Sequence, residues 1–115
     1  MRVLLSAVAA VSLVCLSACA PAFENGPLAR AINQQRVVRD KCLLSQAASL
    51  DDRSSSPEMV GWQVASACDA DNDKLIQLVA TMDRGNEAKI TAVMRKDAAM
   101  KATSYVLTAR SYDQK

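Results

Sequence analysis

The stretch SPEMVGWQVASAC, residues 56–68, carries the clearest local signals for a fold in this chain. Ser56 offers a hydroxyl that can cap a helix, and Pro57 suits the first helical position because an N–H there would have no helical partner. Glu58 faces the positive end of the helix dipole. Apolar residues then recur at intervals of three and four residues: Val60, Val64, Ala67 and Cys68. The stretch therefore predicts a short helix with one buried face.

A longer amphipathic helix is predicted before this stretch, starting with Pro27 at its first position. Its apolar series has three- and four-residue steps and includes one charged member, Arg39. The apolar members are Leu28, Ile32, Leu43, Ala47 and Leu50, with Val38 and Cys42 alongside. The turn-forming residues 51–56 end the pattern.

Two further apolar stripes follow residue 68. The acidic residues 69–73 interrupt the second helix, and a third stripe then contains Leu75, Leu78, Val79 and Met82. Residues 83–86 predict a C-cap and a restart. A last helix reaches about Arg110, although Asp97 and Lys101 interrupt its apolar side. We therefore expect an all-α bundle of three or four helices over residues 27–115.

The composition of the 115-residue chain excludes several classes of protein. Its 14 Lys and Arg nearly balance 12 Asp and Glu, so no strong basic field favours nucleic acid. Half of the residues are hydrophobic but only 3% are aromatic, a helix-forming mixture rather than that of a β-sandwich. The absence of His removes His-based nucleophile pairs and the ordinary zinc site, and three Gly give no phosphate-binding loop. We expect no enzyme, no cofactor and no small-molecule substrate.

The first 18 residues are typical of a secretory signal peptide. A short positive start at Arg2 precedes an apolar run, which is shorter than the roughly 20 residues that span a bilayer. The run ends with a leucine and two small residues before a cysteine: Leu16-Ser17-Ala18-Cys19. This motif resembles the lipobox of bacterial prolipoproteins, and the resemblance covers only this N-terminal part of the chain.

The resemblance implies that the Cys19 thiol receives a diacylglyceryl group, that cleavage falls between Ala18 and Cys19, and that the new amino group is acylated. Ala20 rather than Asp follows, which in lipoproteins resembling those of enteric bacteria favours the outer membrane, facing the periplasm. Residues 19–26 suit a short tether between the lipid and the fold. Ordinary secretion is the alternative, because Ala18-Cys19-Ala20 also has the small-x-small form of a soluble-protein cleavage site.

Cys42 and Cys68 form the remaining cysteine pair once the signal peptide is removed and Cys19 is lipidated. Cys42 lies about 12 Å before Leu50, and Cys68 lies about 16 Å after Pro57. In an antiparallel hairpin the two thiols are therefore at nearly the same distance from the turn. An oxidising compartment favours their pairing. We predict a structural disulfide rather than a redox pair, because the two cysteines lack C-x-x-C spacing and lie on apolar faces.

Three alternating acidic residues suggest a weak metal site: Asp69, Asp71 and Asp73. They resemble the start of an EF-hand calcium loop, but Lys74 stands where that loop has Gly, and Ala80 where it has a bidentate Glu. Capping of the third helix is the favoured interpretation, and a calcium-responsive module is the alternative.

The final residue, Lys115, raises another alternative. Braun-type lipoproteins also end in lysine, and that lysine is joined to peptidoglycan. The sustained heptads of that family are missing here. A cell-wall tether through Lys115 is therefore kept as a second possible function.

Four residues are candidates for contact with a partner protein. Trp62, the single Trp, is expected to be a partly buried core residue, with an exposed anchor as the alternative. Ala92, Ala99 and Val106 recur every seven residues, a strip that permits close approach of another helix. The favoured interpretation of the strip is that it packs in the core, because a small domain has little apolar surface to spare. Together these features predict a lipid-anchored, noncatalytic envelope protein with an interaction or envelope-maintenance role.

Overall fold

The computed structural model describes residues 26–115, which form four α-helices. The helices are α1 Gly26–Leu50, α2 Pro57–Ala67, α3 Asp69–Ala80 and α4 Glu87–Tyr112. The predicted all-α bundle is confirmed. The signal peptide, Cys19 and all but the last residue of the expected tether lie outside the described residues. That last residue, Gly26, already belongs to the first turn of α1.

The four helices form three rods of similar length, because α2 and α3 follow each other almost directly. Only Cys68 separates them, so residues 57–80 together match the length of α1 or α4. α2 packs chiefly on α4, whereas α3 packs chiefly on α1. The middle rod therefore changes its main partner at Cys68.

The interruption in the middle rod is shorter than the sequence suggests. The predicted break at residues 69–73 is wrong, because Asp69 begins α3 and its acidic residues favour the positive end of the helix dipole. The break is confined to Cys68, whose N–H still donates to the carbonyls of Val64 and Ala65 at 3.2 and 3.1 Å. A single residue outside helical geometry therefore separates the two helices of the rod.

The other helix boundaries follow the predicted capping residues. The hydroxyl of Ser56 accepts a hydrogen bond from the N–H of Met59 at 3.3 Å, as expected for an N-cap. Gly85 adopts φ +107° in the turn before α4, a conformation that side-chain-bearing residues rarely adopt. The last helix continues to Tyr112, slightly past the predicted end near Arg110.

The main core lies where α1, α2 and α4 meet, and it consists largely of small residues. Its members are Leu43, Ala47, Val60, Val64, Ala65, Cys68, Ala98, Ala99, Ala102 and Val106. The predicted face of α2 is partly wrong, because Ala67 is exposed while Gly61 and Ala65 are buried. In α1, the predicted core residue Leu50 is 40% exposed, since the helix ends there. A core this rich in alanine requires its helices to lie close together.

Helix α2 lies in close contact with α4 at Gly61. A Cβ placed there would overlap the Thr103 hydroxyl and lie 2.8 Å from the carbonyl oxygen of Ala99. That hydroxyl donates to the same Ala99 carbonyl at 2.8 Å, so the obstacle is a fixed part of α4. Gly61 is therefore required by packing rather than by backbone conformation.

The Gly61→Ala substitution should lower the free energy of unfolding by about 1–3 kcal/mol. The added methyl group would force α2 away from α4, and this effect exceeds the gain of roughly 1 kcal/mol in helix propensity. Gly26→Ala is the matched control, because its new Cβ would meet no other helix or loop of the described residues within 4 Å. Urea denaturation followed by circular dichroism measures both variants. A Gly61→Ala protein as stable as the control would contradict the close packing.

Candidate functional site

Cys42 of α1 and Cys68 form a disulfide, with Cα atoms 5.9 Å apart. The predicted pairing is confirmed. Cys68 is almost completely buried and lies within the main core, which disfavours thiolate chemistry there. A loop of this length contributes about 3.5 kcal/mol in the chain-entropy model. The bridge therefore acts as a structural crosslink between α1 and the break in the middle rod.

The three aspartates of the candidate metal site serve helix packing. Arg95 of α4 contacts Asp69 through Nη1 and Asp73 through Nη2, each at 3.0 Å. Asp71 accepts a hydrogen bond from Gln35 through its backbone carbonyl, at 2.9 Å, rather than through its carboxylate. Within residues 26–115, no three acidic, His or Cys side chains are placed to hold a metal ion together. This arrangement matches the interpretation of the aspartates as part of the third helix's start.

The candidate interaction residues do not form one surface. Ala99 and Val106 are 2% and 0% exposed, so the favoured interpretation of these two as core residues is confirmed and the alternative, contact with a partner, is wrong for them. Ala92 alone of this strip is exposed. Trp62 is 54% exposed, so its interpretation as a core residue is also wrong. Its ring is outside the core because Gly61 and its neighbours occupy the face toward α4.

Trp62 instead borders a shallow groove on the surface between α2 and α4. The groove has a volume of ≈ 240 Å³. Met100, which is 63% exposed, and Lys96 line the same groove. An aromatic ring, a thioether and a cation thus share one exposed surface.

A charge network centred on the buried Arg39 joins α1 to α4, and the sequence did not predict it. Arg39 is 1% exposed. Its Nε and Nη2 donate to Asp40 Oδ1 at 3.0 and 2.9 Å, and its Nη1 donates to Asp97 Oδ2 at 3.1 Å. Lys101 donates to the other Asp40 oxygen at 2.7 Å. Asp40 is therefore held by cations from both helices.

This network changes the electrostatics of Asp40 and explains the charges within α4. Burial alone raises the pKa of the Asp40 carboxyl, but hydrogen bonds from Lys101 and Arg39 outweigh it and hold the pKa below its usual range. Asp97 and Lys101 lie one helical turn apart on α4 and face this network. The sequence signal was Arg39 itself, a charge within an apolar series.

A second polar cluster fixes the loop between α1 and α2. Arg110 of α4 contacts both carboxylate oxygens of Asp51, at 3.0 and 2.6 Å, and donates to the Ser55 carbonyl at 2.9 Å. The hydrogen bonds from Arg110 lower the pKa of Asp51. Asp52 accepts from the Ser55 hydroxyl and from the N–H groups of Ser55 and Ser54, which lowers its pKa to about 2. The serine run therefore forms a turn, as the sequence predicts.

Comparison with known protein families, characterised proteins and solved structures finds no significant match to this chain. Among the helices of residues 26–115, none has the length and apolar character to cross a bilayer. Lys115 is exposed and follows the end of α4. Assignment of function therefore depends on the chain's own residues.

Asp40→Asn should lower the free energy of unfolding by about 2–3 kcal/mol, because it weakens the acceptor that Arg39 and Lys101 share. Asp97→Asn is the matched control: its carboxylate contacts the same Arg39 but is 60% exposed, so the loss should stay below about 1 kcal/mol. Chemical denaturation at neutral pH measures both. Equal losses in the two variants would show that burial of Asp40 does not matter.

The Asp52 carboxylate should make the protein sensitive to acid. Its native pKa of about 2 lies below the ordinary 3.8, so its contribution is present above pH 3.8 and is lost as the pH falls toward 2. Asp52→Asn keeps an acceptor for the two N–H groups but cannot titrate. Thermal unfolding between pH 5 and pH 2 should therefore show a weaker pH dependence in this variant than in the wild type. Parallel curves would contradict the assignment.

Proposed function

We propose that this protein is a lipid-anchored lipoprotein of the bacterial cell envelope, with a noncatalytic helical body that takes part in protein interaction or envelope maintenance. The observation that carries the proposal is the sequence Leu16-Ser17-Ala18-Cys19 at the end of an apolar signal run. The two or three acyl chains of such an anchor hold a protein firmly to a membrane. We place it at the outer membrane, facing the periplasm.

The helical body supports this proposal in two ways. Its first helix begins at Gly26, only seven residues after Cys19, so the fold follows the anchor with a short connection. The Cys42–Cys68 disulfide suits an oxidising compartment such as the periplasm. Both features agree with a small domain exported and then held at a membrane.

The noncatalytic part of the proposal rests on how the charged side chains are used. Arg39, Arg95 and Arg110 each pair with carboxylates of another part of the fold. The serines of the α1–α2 loop donate to or cap neighbouring backbone and carboxylate groups. These polar groups stabilise the bundle. The exposed Trp62 and Met100 support a protein partner instead, since aromatic and Met side chains are enriched where proteins meet.

Replacing Cys19 by Ala should abolish lipid attachment and leave an unprocessed precursor, because the modified thiol and the cleavage site are both lost. Intact-mass measurement of the full chain expressed in a bacterium, with fractionation of its envelope, tests this result. Cys15→Ala is the matched control and should leave both lipid and cleavage unchanged. A soluble, unmodified wild-type protein that begins at Pro21 would disprove the anchor.

A further inference from the structure

The end of the bundle from which the expected tether emerges differs from the rest of the surface. This tether end comprises the start of α1 through Arg36, the last turn of α3 from Val79, and the α3–α4 loop with the first turn of α4. A groove of ≈ 630 Å³ lies there. Its lining residues are Gly26, Ala29, Arg30, Ile32, Asn33, Arg36, Val79 and Met82. A second groove of ≈ 300 Å³ shares Val79 and includes Ile90 and Met94.

The tether end carries four cations that have no carboxylate partner within the described part of the chain. Arg30, Arg36, Arg84 and Lys89 are exposed, and none has a carboxylate within 4 Å among the described residues. By contrast, Arg39, Arg95 and Arg110 elsewhere in the bundle are all paired. The local acids are fewer: Asp83 accepts from Asn86, and Glu87 lies at the start of α4. The tether end therefore presents a net positive surface.

Apolar side chains protrude among these cations. Met82 in the α3–α4 loop is 58% exposed, and Val93 on the neighbouring face of α4 is 59% exposed. Val79 and Ile90, which line the grooves beside them, are only partly covered. Cations around protruding apolar side chains are the combination that binds the headgroup region of an anionic bilayer.

The position of the anchor makes a lipid surface the natural occupant. Gly26 lies seven positions after Cys19, and an extended chain over seven Cα–Cα steps spans at most about 25 Å. α1 is about 37 Å long, so its start remains near the membrane while its far end can be remote. The membrane that holds the lipid is thus always within reach of the tether end.

We propose that the tether end docks on the anionic phospholipid headgroups of the leaflet that holds the Cys19 lipid, with Met82 entering the interfacial region and Arg30, Arg36 and Arg84 contacting phosphates. This inference rests on the proposed lipid anchor. It orients the bundle with α1 and α4 rising from the membrane. Trp62 and Met100, farther along the bundle, then remain free for a protein partner.

The orientation can be tested by tryptophan quenching in vesicles. The full chain is expressed in a bacterium, and its lipidated product is reconstituted in vesicles of brominated phosphatidylcholine with phosphatidylglycerol. The native Trp62 reports on the α2–α4 surface, and a Trp62→Phe/Met82→Trp variant reports on the tether end. The indole at position 82 should be quenched by the brominated lipid, whereas the native indole should not. Circular dichroism checks that both proteins fold.

Removal of the cations tests whether electrostatic attraction contributes to the proposed docking. Each cation near an anionic leaflet changes the docking equilibrium about fivefold. Adding Arg30→Gln, Arg36→Gln and Arg84→Gln to the reporter variant should therefore remove most of the quenching at position 82. The matched control adds Lys41→Gln, Lys74→Gln and Lys96→Gln, which remove three exposed cations that lie outside the tether end and have no ion pair in the described part of the chain. This control should retain the quenching, although its net charge is the same.

Three results would overturn the proposal: no quenching at position 82, quenching of Trp62 instead, or equal losses in the two charge variants. Blocking of the tether-end groove by a copurifying protein would appear as the first of these results. Intact mass is measured on every sample. A protein that carries no lipid on Cys19 would refute the proposed anchor, whereas a lipidated protein without quenching at position 82 would refute only the docking.

Discussion

The arrangement of the helices depends on the disulfide between Cys42 and Cys68, which links α1 to the junction of α2 and α3. Cys68 is the single residue between α2 and α3, and there the middle rod changes from packing on α4 to packing on α1. A covalent link to α1 at this point holds both halves of the rod in position. A small domain gains much from such a crosslink, because it buries a low fraction of its surface.

Close helix contacts and ion pairs between the helices also stabilise the bundle. Gly61 lets α2 approach the alanine-rich face of α4, where larger side chains would leave no room. α4 also contributes charged groups to three other parts of the fold: Arg95 to α3, Lys101 to α1, and Arg110 to the α1–α2 loop. These pairs are spread along α4, so they fix its register as well as its direction.

Much of the fold could be predicted because its signals are local. The cap at Ser56, the turn at Gly85 and the apolar spacing each depend on neighbours within one or two helical turns. The break between α2 and α3 was harder to predict, since acidic residues both interrupt an apolar stripe and favour a helix N-terminus. The burial of Ala99 and the exposure of Trp62 depend on which helix lies opposite, and spacing along one helix does not specify that partner.

The sequence by itself determined the helical class, the cysteine pairing and the motif at Cys19, because each follows from residue type and spacing along the chain. Only the tertiary structure decided the role of the charged residues. It buries Arg39 between carboxylates from two helices, and it leaves Arg30, Arg36 and Arg84 at one end without a carboxylate partner among residues 26–115. The physical reason is that a charge acts through its distance from other charges in space, and residues far apart in sequence set those distances only when the helices pack.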